Sequence, residues 1–172
     1  MKKVRIIIGI ILCGLLVGCS HPTKDGVSLL QEKKYKEAIE VFQKAVDHKK
    51  DTGEAYRGMG IAYWELKDYE HAREAFIKAI DHDVKKTGTL YNFIGICDMK
   101  EKNPKSALNY FRLALAMKGN SKSLIQEVEY NEIIAYEQIE DWESAKVKLE
   151  QYIEKYPEDS SATKEAEFLK TR

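Results

Sequence analysis

Apolar residues return at helical spacing along almost the whole chain after residue 24. Met59, Tyr63 and Leu66 mark one stripe, and Tyr69, Ala72, Phe76, Ala79 and Ile80 mark the next. Side chains three and four positions apart share one helix face, so each run predicts an amphipathic helix. No strand-like alternation of useful length is present. Short polar turns followed by an aromatic residue or a proline separate the stripes: Lys34-Tyr35, Asp68-Tyr69, Asn103-Pro104 and Asp141-Trp142. Pro104 suits the first turn of its helix, where a missing N–H does no harm, and Asn103 just before it is a fitting N-cap. Ser160 or Ser161 is placed to cap a last helix with a thin stripe of Ala162, Ala166 and Leu169.

The stripes themselves repeat. Ala38, Phe42 and Ala45 return 34 residues later as Ala72, Phe76 and Ala79, then 35 later as Ala107, Phe111 and Ala114. A weaker copy, Ala145, Leu149 and Tyr152, follows after 38, which implies about one extra helical turn near Ser123 to Gln126. Ahead of each triplet stands a second set: Gly26 and Leu29, Gly60 and Tyr63, Gly95, and Ile133 and Tyr136. A period of this length means stacked two-helix units, each burying its apolar face on its neighbours.

The spacing resembles the tetratricopeptide repeat, whose pattern runs aromatic, Leu, Gly, Tyr, then Ala, Phe, Ala, then Pro. The second unit carries Tyr56, Met59, Gly60, Tyr63, Ala72, Phe76 and Ala79. The third carries Tyr91, Ile94, Gly95, Ala107, Phe111 and Ala114 but has Asp98 where Tyr is usual; the fourth has Ile133 in place of the glycine and keeps Pro157. The resemblance implies an all-α solenoid of about four helical hairpins with a C-terminal capping helix. It covers about residues 24–159, divided as 25–52, 53–87, 88–120 and 121–159, with the cap over 160–172. Small residues at Gly60 and Ala72 fit a close crossing of two helices, and Phe42, Phe76 and Phe111 fit the space between hairpins. Ser28, Ala62, Cys97 and Ala135 share one position, so Cys97 reads as packing rather than chemistry.

The amino terminus has a different pattern. Lys2, Lys3 and Arg5 precede an almost wholly apolar run, Ile6 to Val17, and Leu16-Val17-Gly18-Cys19 ends it. That run of about 12 residues is short of the roughly 20 that a spanning helix needs, so it reads as an export signal over 1–18. Its end resembles a bacterial lipobox. The resemblance implies cleavage before Cys19, a diacylglyceryl group on its sulfur, and a tether over 19–24. A thiolate is a competent nucleophile for that transfer, and two acyl chains hold a protein firmly. The location then expected is extracytoplasmic: the cell surface, or the periplasmic face of the inner or outer membrane.

Charge adds little. The 28 basic and 28 acidic residues balance, and three of the basic ones lie in the leader, leaving a mildly acidic remainder. No basic footprint for nucleic acid stands out. Of three cysteines, Cys13 leaves with the signal and Cys19 takes lipid, so Cys97 has no disulfide partner. No nucleophile elbow, phosphate-cradling glycine loop or metal-ligand spacing is present; His48 and His82 sit at equivalent helix ends, far apart. No catalytic residue, metal, cofactor beyond the covalent lipid, or small-molecule substrate is expected.

Binding is the expected work. In the resembled family the first helix of each unit lines a concave groove. Carrying that phase over gives Val27 and Leu30, then Arg57, Ile61 and Trp64, then Asn92, Ile96 and Met99, then Tyr130 and Ile134. Ile61 and Ile96 stand where a clamp for terminal carboxylates would need amide and basic groups, so a helix or extended peptide with apolar anchors fits better. The function expected is a lipid-anchored adaptor for another envelope or secreted protein or peptide. The alternative is a structural lipoprotein that associates with itself.

Overall fold

A computed structural model describes residues 22–171; the expected signal peptide and Cys19 lie outside them. The described residues form nine α-helices and no strand. In order they are α1 (Pro22–Gln31), α2 (Tyr35–Asp47), α3 (Thr52–Glu65), α4 (Tyr69–Asp81), α5 (Gly88–Lys100), α6 (Pro104–Ala116), α7 (Lys122–Gln138), α8 (Trp142–Lys155) and α9 (Ser160–Leu169). The first helix starts at Pro22, so Pro22, Thr23 and Lys24, read above as tether, are helical. A proline at the first helical position gives up only an N–H that has no helical acceptor. The 17 residues of α7 against 13 in α5 account for the lengthened spacing before the fourth triplet.

Each hairpin turns in the same way. Lys33, Lys67, Lys102 and Glu140 adopt φ near 60°, and the next residue's N–H reaches back five positions: Lys34 to Leu29, Asp68 to Tyr63, Asn103 to Asp98 and Asp141 to Tyr136. This is the Schellman closure, which satisfies carbonyls left over at a helix end. Glycine is absent from all four sites, so each turn is held at some local cost by the packing around it.

Capping departs from expectation at two helices. Asn103 precedes α6, but its side chain makes no capping bond. Asp159, rather than Ser160 or Ser161, caps α9 by accepting from the N–H groups of Ser161 and Ala162. Asp68, Thr87, Ser121 and Asp141 accept from the third residue of α4, α5, α7 and α8. In each case the oxygen takes one of the otherwise unbonded donors of the first turn.

The phenylalanine triad is the spine of the array. Phe42, Phe76 and Phe111 are at most 1% exposed. A methyl group on Gly26 would stand 2.5 Å from the Phe42 ring, one on Gly60 the same distance from Phe76, and one on Gly95 the same from Phe111. Phe42 also abuts Gly58 and so joins α1 and α3, while Phe76 stacks on Phe93 of the next hairpin at 5.4 Å. These rings replace contact between backbones with contact across side chains, and burial of each is a large apolar contribution. Ala62, Cys97 and Ala135 are fully buried, but Ser28 is exposed, because among the described residues no hairpin precedes α1 to cover it. Burial pushes the Cys97 thiol up to about 12, so it stays a neutral packing group at physiological pH.

Candidate functional site

The first helices α1, α3, α5 and α7 run parallel along one side of the stack, and α1 and α3 are spaced by Gly26, Gly58 and the Phe42 ring below them. Between these two helices lies a cavity of about 380 Å³ lined by Val27, Leu30, Arg57 and Ile61, among others, with Phe42 at its floor. Val27 is 46% exposed, an apolar side chain presented to solvent beside that opening. Arg57 is exposed as well, and its guanidinium pairs with Glu54 one turn earlier at 2.5 Å. Lys24 and Glu54 also line it, so an apolar floor is framed by charge of both signs.

Beyond this opening the other groove residues are engaged in the fold. Trp64 meets Tyr69 edge-on at 5.4 Å and Phe93 at 5.0 Å, wedged between the second and third hairpins. Asn92 is 4% exposed; its amide donates to Glu127 at 2.9 Å, and its oxygen accepts from Asn131 at 3.3 Å. Ile96 and Met99 are half-buried against the central core. Tyr130 packs on Tyr152 at 5.4 Å, and Ile134 is half-buried. Of the ten residues named from the repeat phase, Val27, Leu30, Arg57 and Ile61 share the cavity.

Three polar arrangements escaped the periodicity. Asp98, 1% exposed, is held by the Arg73 Nε at 2.5 Å and by the Ser106 hydroxyl at 2.6 Å, tying α4, α5 and α6. Glu132 is buried beside Lys148 at 2.7 Å, linking α7 to α8. The third lies where α9 closes the stack. Glu137 Oε1 is buried with no hydrogen-bond partner among the described residues, and Glu165 of α9 faces the same carboxyl. Burial, then the charge of Glu165, pushes the Glu137 carboxyl up to about 7 from an ordinary value near 4.5. A raised acid favours the folded state while it is protonated, so its contribution is complete below 4.5 and is lost as pH rises through 7. The melting temperature of the wild type is therefore expected to fall relative to Glu137→Gln over that window. Parallel melts of the two proteins from pH 4.5 to 8 check it; a constant difference would remove Glu137 from the account.

Among the described residues no group of three or more His, Cys, Asp and Glu side chains is placed to hold a metal ion. Nor is any helix among them long and apolar enough to cross a membrane.

Two tetratricopeptide-repeat family models match the sequence, over residues 26–83 and 127–159, together more than half of the chain. No curated protein matches it in sequence. Solved structures do match in fold. YrrB, described as a TPR protein with an unusual peptide-binding site, is 21% identical with a TM-score of 0.74, over 86% of this chain and 74% of that one. MamA from Desulfovibrio magneticus RS-1, residues 41 to the end, is 21% identical with a TM-score of 0.74, over 88% of this chain and 82% of its own. A further MamA crystal structure is 16% identical with a TM-score of 0.74, over 87% and 81%. Neither family match is to a catalytic family. The helical hairpins, their shared turns, the phenylalanine spine and these matches agree: the chain belongs to the tetratricopeptide-repeat proteins, folded as an all-α solenoid.

Proposed function

We propose that this protein is a membrane-anchored adaptor of the bacterial cell envelope, tethered through a diacylglyceryl group on Cys19, that receives a partner protein or peptide in the opening between α1 and α3. The observation that carries the reading is that opening: about 380 Å³, with Leu30, Ile61 and Phe42 as an apolar lining and Arg57 at its rim. A cavity of this size takes one or two apolar side chains, and a flanking guanidinium supplies orientation by hydrogen bonding. The likeness in fold to YrrB, whose description names a peptide-binding site, supports a peptide or an extended segment as the ligand. The leader pattern from Lys2 to Cys19 supports the anchor and the extracytoplasmic side.

Trp64 and Tyr130 are set aside as contact residues, because their rings hold neighbouring helices together. The test uses positions that substitution does not destabilise. A photoreactive amino acid at Val27 or at Arg57 is expected to give one discrete adduct in intact cells, whereas the same group at exposed Leu113 on α6 gives none. Equal adducts from all three positions would contradict a dedicated opening. An adduct of the chain with itself would establish the self-associating alternative.

A further inference from the structure

The loops that join one hairpin to the next all lie at a single edge of the stack, because the two helices of each hairpin are antiparallel and the first helices of successive hairpins are parallel. That edge also holds the start of α1: the Thr23 hydroxyl donates to Asp51, in the loop before α3, at 3.2 Å. The loops before α3, α5 and α7 carry Lys49, Lys50, Lys85, Lys86 and Lys118, with Lys122 opening α7, against Asp51 and Asp83, while the loop before α9 carries Glu158 and Asp159 and no lysine. At the opposite edge, where the hairpins turn, acids accompany the lysines: Glu32 with Lys33 and Lys34, Asp68 with Lys67, Glu101 with Lys102, and Glu140 and Asp141 with none.

Three of the loop lysines border one cleft, and a fourth lysine stands beside it. Lys85, Lys86, Lys118 and the residues around them border a cleft of about 840 Å³ between the loops before α5 and α7, and Lys122 follows directly at the head of α7. None of the four is ion-paired among the described residues. Neither α5 nor α7 has an acid in its first turn, although α2, α3, α4 and α8 each have a glutamate there. Thr87 and Ser121 satisfy the third donor of each helix, which leaves the N–H groups of Gly88, Thr89, Lys122 and Ser123 without helical acceptors at the same end. Lysine charge and two helix N-termini therefore point the same way, toward an anion.

We propose that this loop edge lies on the surface of an anionic phospholipid bilayer, with phosphate headgroups seated among Lys85, Lys86, Lys118 and Lys122. The proposal rests on the anchored reading above: Cys19 stands three residues before Pro22, and Pro22 begins α1 at this edge. A tether that short brings the edge with it to the membrane. Each lysine near an anionic surface is worth roughly fivefold in affinity. With the lipid already holding the chain, the lysines fix its attitude. The solenoid stands with its hairpin turns away from the bilayer and the opening between α1 and α3 accessible from the side.

The test is site-resolved lysine acylation, read by mass spectrometry, on the full chain purified from bacterial membranes and reconstituted on vesicles. The vesicles are of phosphatidylcholine alone or of phosphatidylcholine mixed with phosphatidylglycerol. Lys85, Lys86, Lys118 and Lys122 are expected to react several-fold more slowly on the anionic vesicles, and the difference should vanish in high salt. Lys67 and Lys102, at the opposite edge, should react equally on both. In the combined Lys85→Gln, Lys86→Gln, Lys118→Gln, Lys122→Gln variant, Lys49 and Lys50 should lose their own protection. Equal reaction of the four lysines on both vesicles, or protection of Lys67 and Lys102 instead, overturns the proposal. Retention on neutral vesicles after a high-salt wash reads the anchor separately. Retention without lysine protection defeats the edge alone, and protection without retention defeats the anchor alone.

Discussion

Truncating Phe76 to alanine is expected to lower the stability of the array by about 3–5 kcal/mol, the range for loss of a fully buried phenylalanine. The ring is 1% exposed, rests on Gly60 within its own hairpin and stacks on Phe93 of the next. Phe93 in turn meets Trp64, so one truncation loosens the packing between the second and third hairpins from both sides. Stability in a solenoid is close to a sum of units and nearest-neighbour interfaces, and an interior interface is shared by everything on either side. Phe76→Ala should therefore unfold the array as a whole. Phe42→Ala, at the first interface, should release mainly α1 and α2. Chemical denaturation followed by helix content checks this: one transition moved to lower denaturant for Phe76→Ala, and a separate early transition for Phe42→Ala. Equal single shifts for both would mean that the array behaves as one cooperative block.

Arg73→Met is expected to cost about 3 kcal/mol, by leaving the Asp98 carboxylate buried without its counter-charge. Asp98 is 1% exposed and its second partner, Ser106, is neutral. Loss of the opposite partner is asymmetric, because Arg73 is a third exposed and can turn to water when Asp98 is removed. In Arg73→Met/Asp98→Asn no unpaired charge is left in the interior, so the double variant should recover most of the loss. Thermal melts of the two variants test it. Equal weakness in both would show that Arg73 acts through its packed methylenes and not through its charge.

The residue pattern made the backbone of this account legible and left its polar interior hidden, for a definable reason. Ala72, Phe76 and Ala79 recur because every hairpin meets its neighbour through the same geometry, and a repeated constraint leaves a repeated residue. Arg73–Asp98 occurs once, joins residues 25 apart in different hairpins, and replaces the tyrosine usual at that position. Nothing periodic marks it except the departure itself. Glu137 and Glu165 are equally silent, since their meeting depends on how α9 closes the last hairpin.

The groove was legible only in part. The repeat phase placed Arg57 and Ile61 on the side that opens between α1 and α3, along with Val27 and Leu30. It also nominated Trp64, Asn92 and Tyr130 on the same phase, and these spend their surface on Phe93, on Glu127 and Asn131, and on Tyr152. Phase fixes the side of a helix; whether the next helix covers that side depends on side chains one repeat away. The caps are similar in kind. Asp159 displaced Ser160 and Ser161 because its carboxylate reaches two donors at once, which the serine pattern alone does not reveal.

Hydrogen–deuterium exchange of the protein with and without the partner captured at Val27 tests the central claim most directly. The account predicts slowed exchange in α1 and α3 around the opening lined by Leu30, Arg57 and Ile61, with α6 and α8 unchanged. Slowing confined to α8 and α9, or to the second helices of the hairpins, would contradict it and place the partner elsewhere on the array.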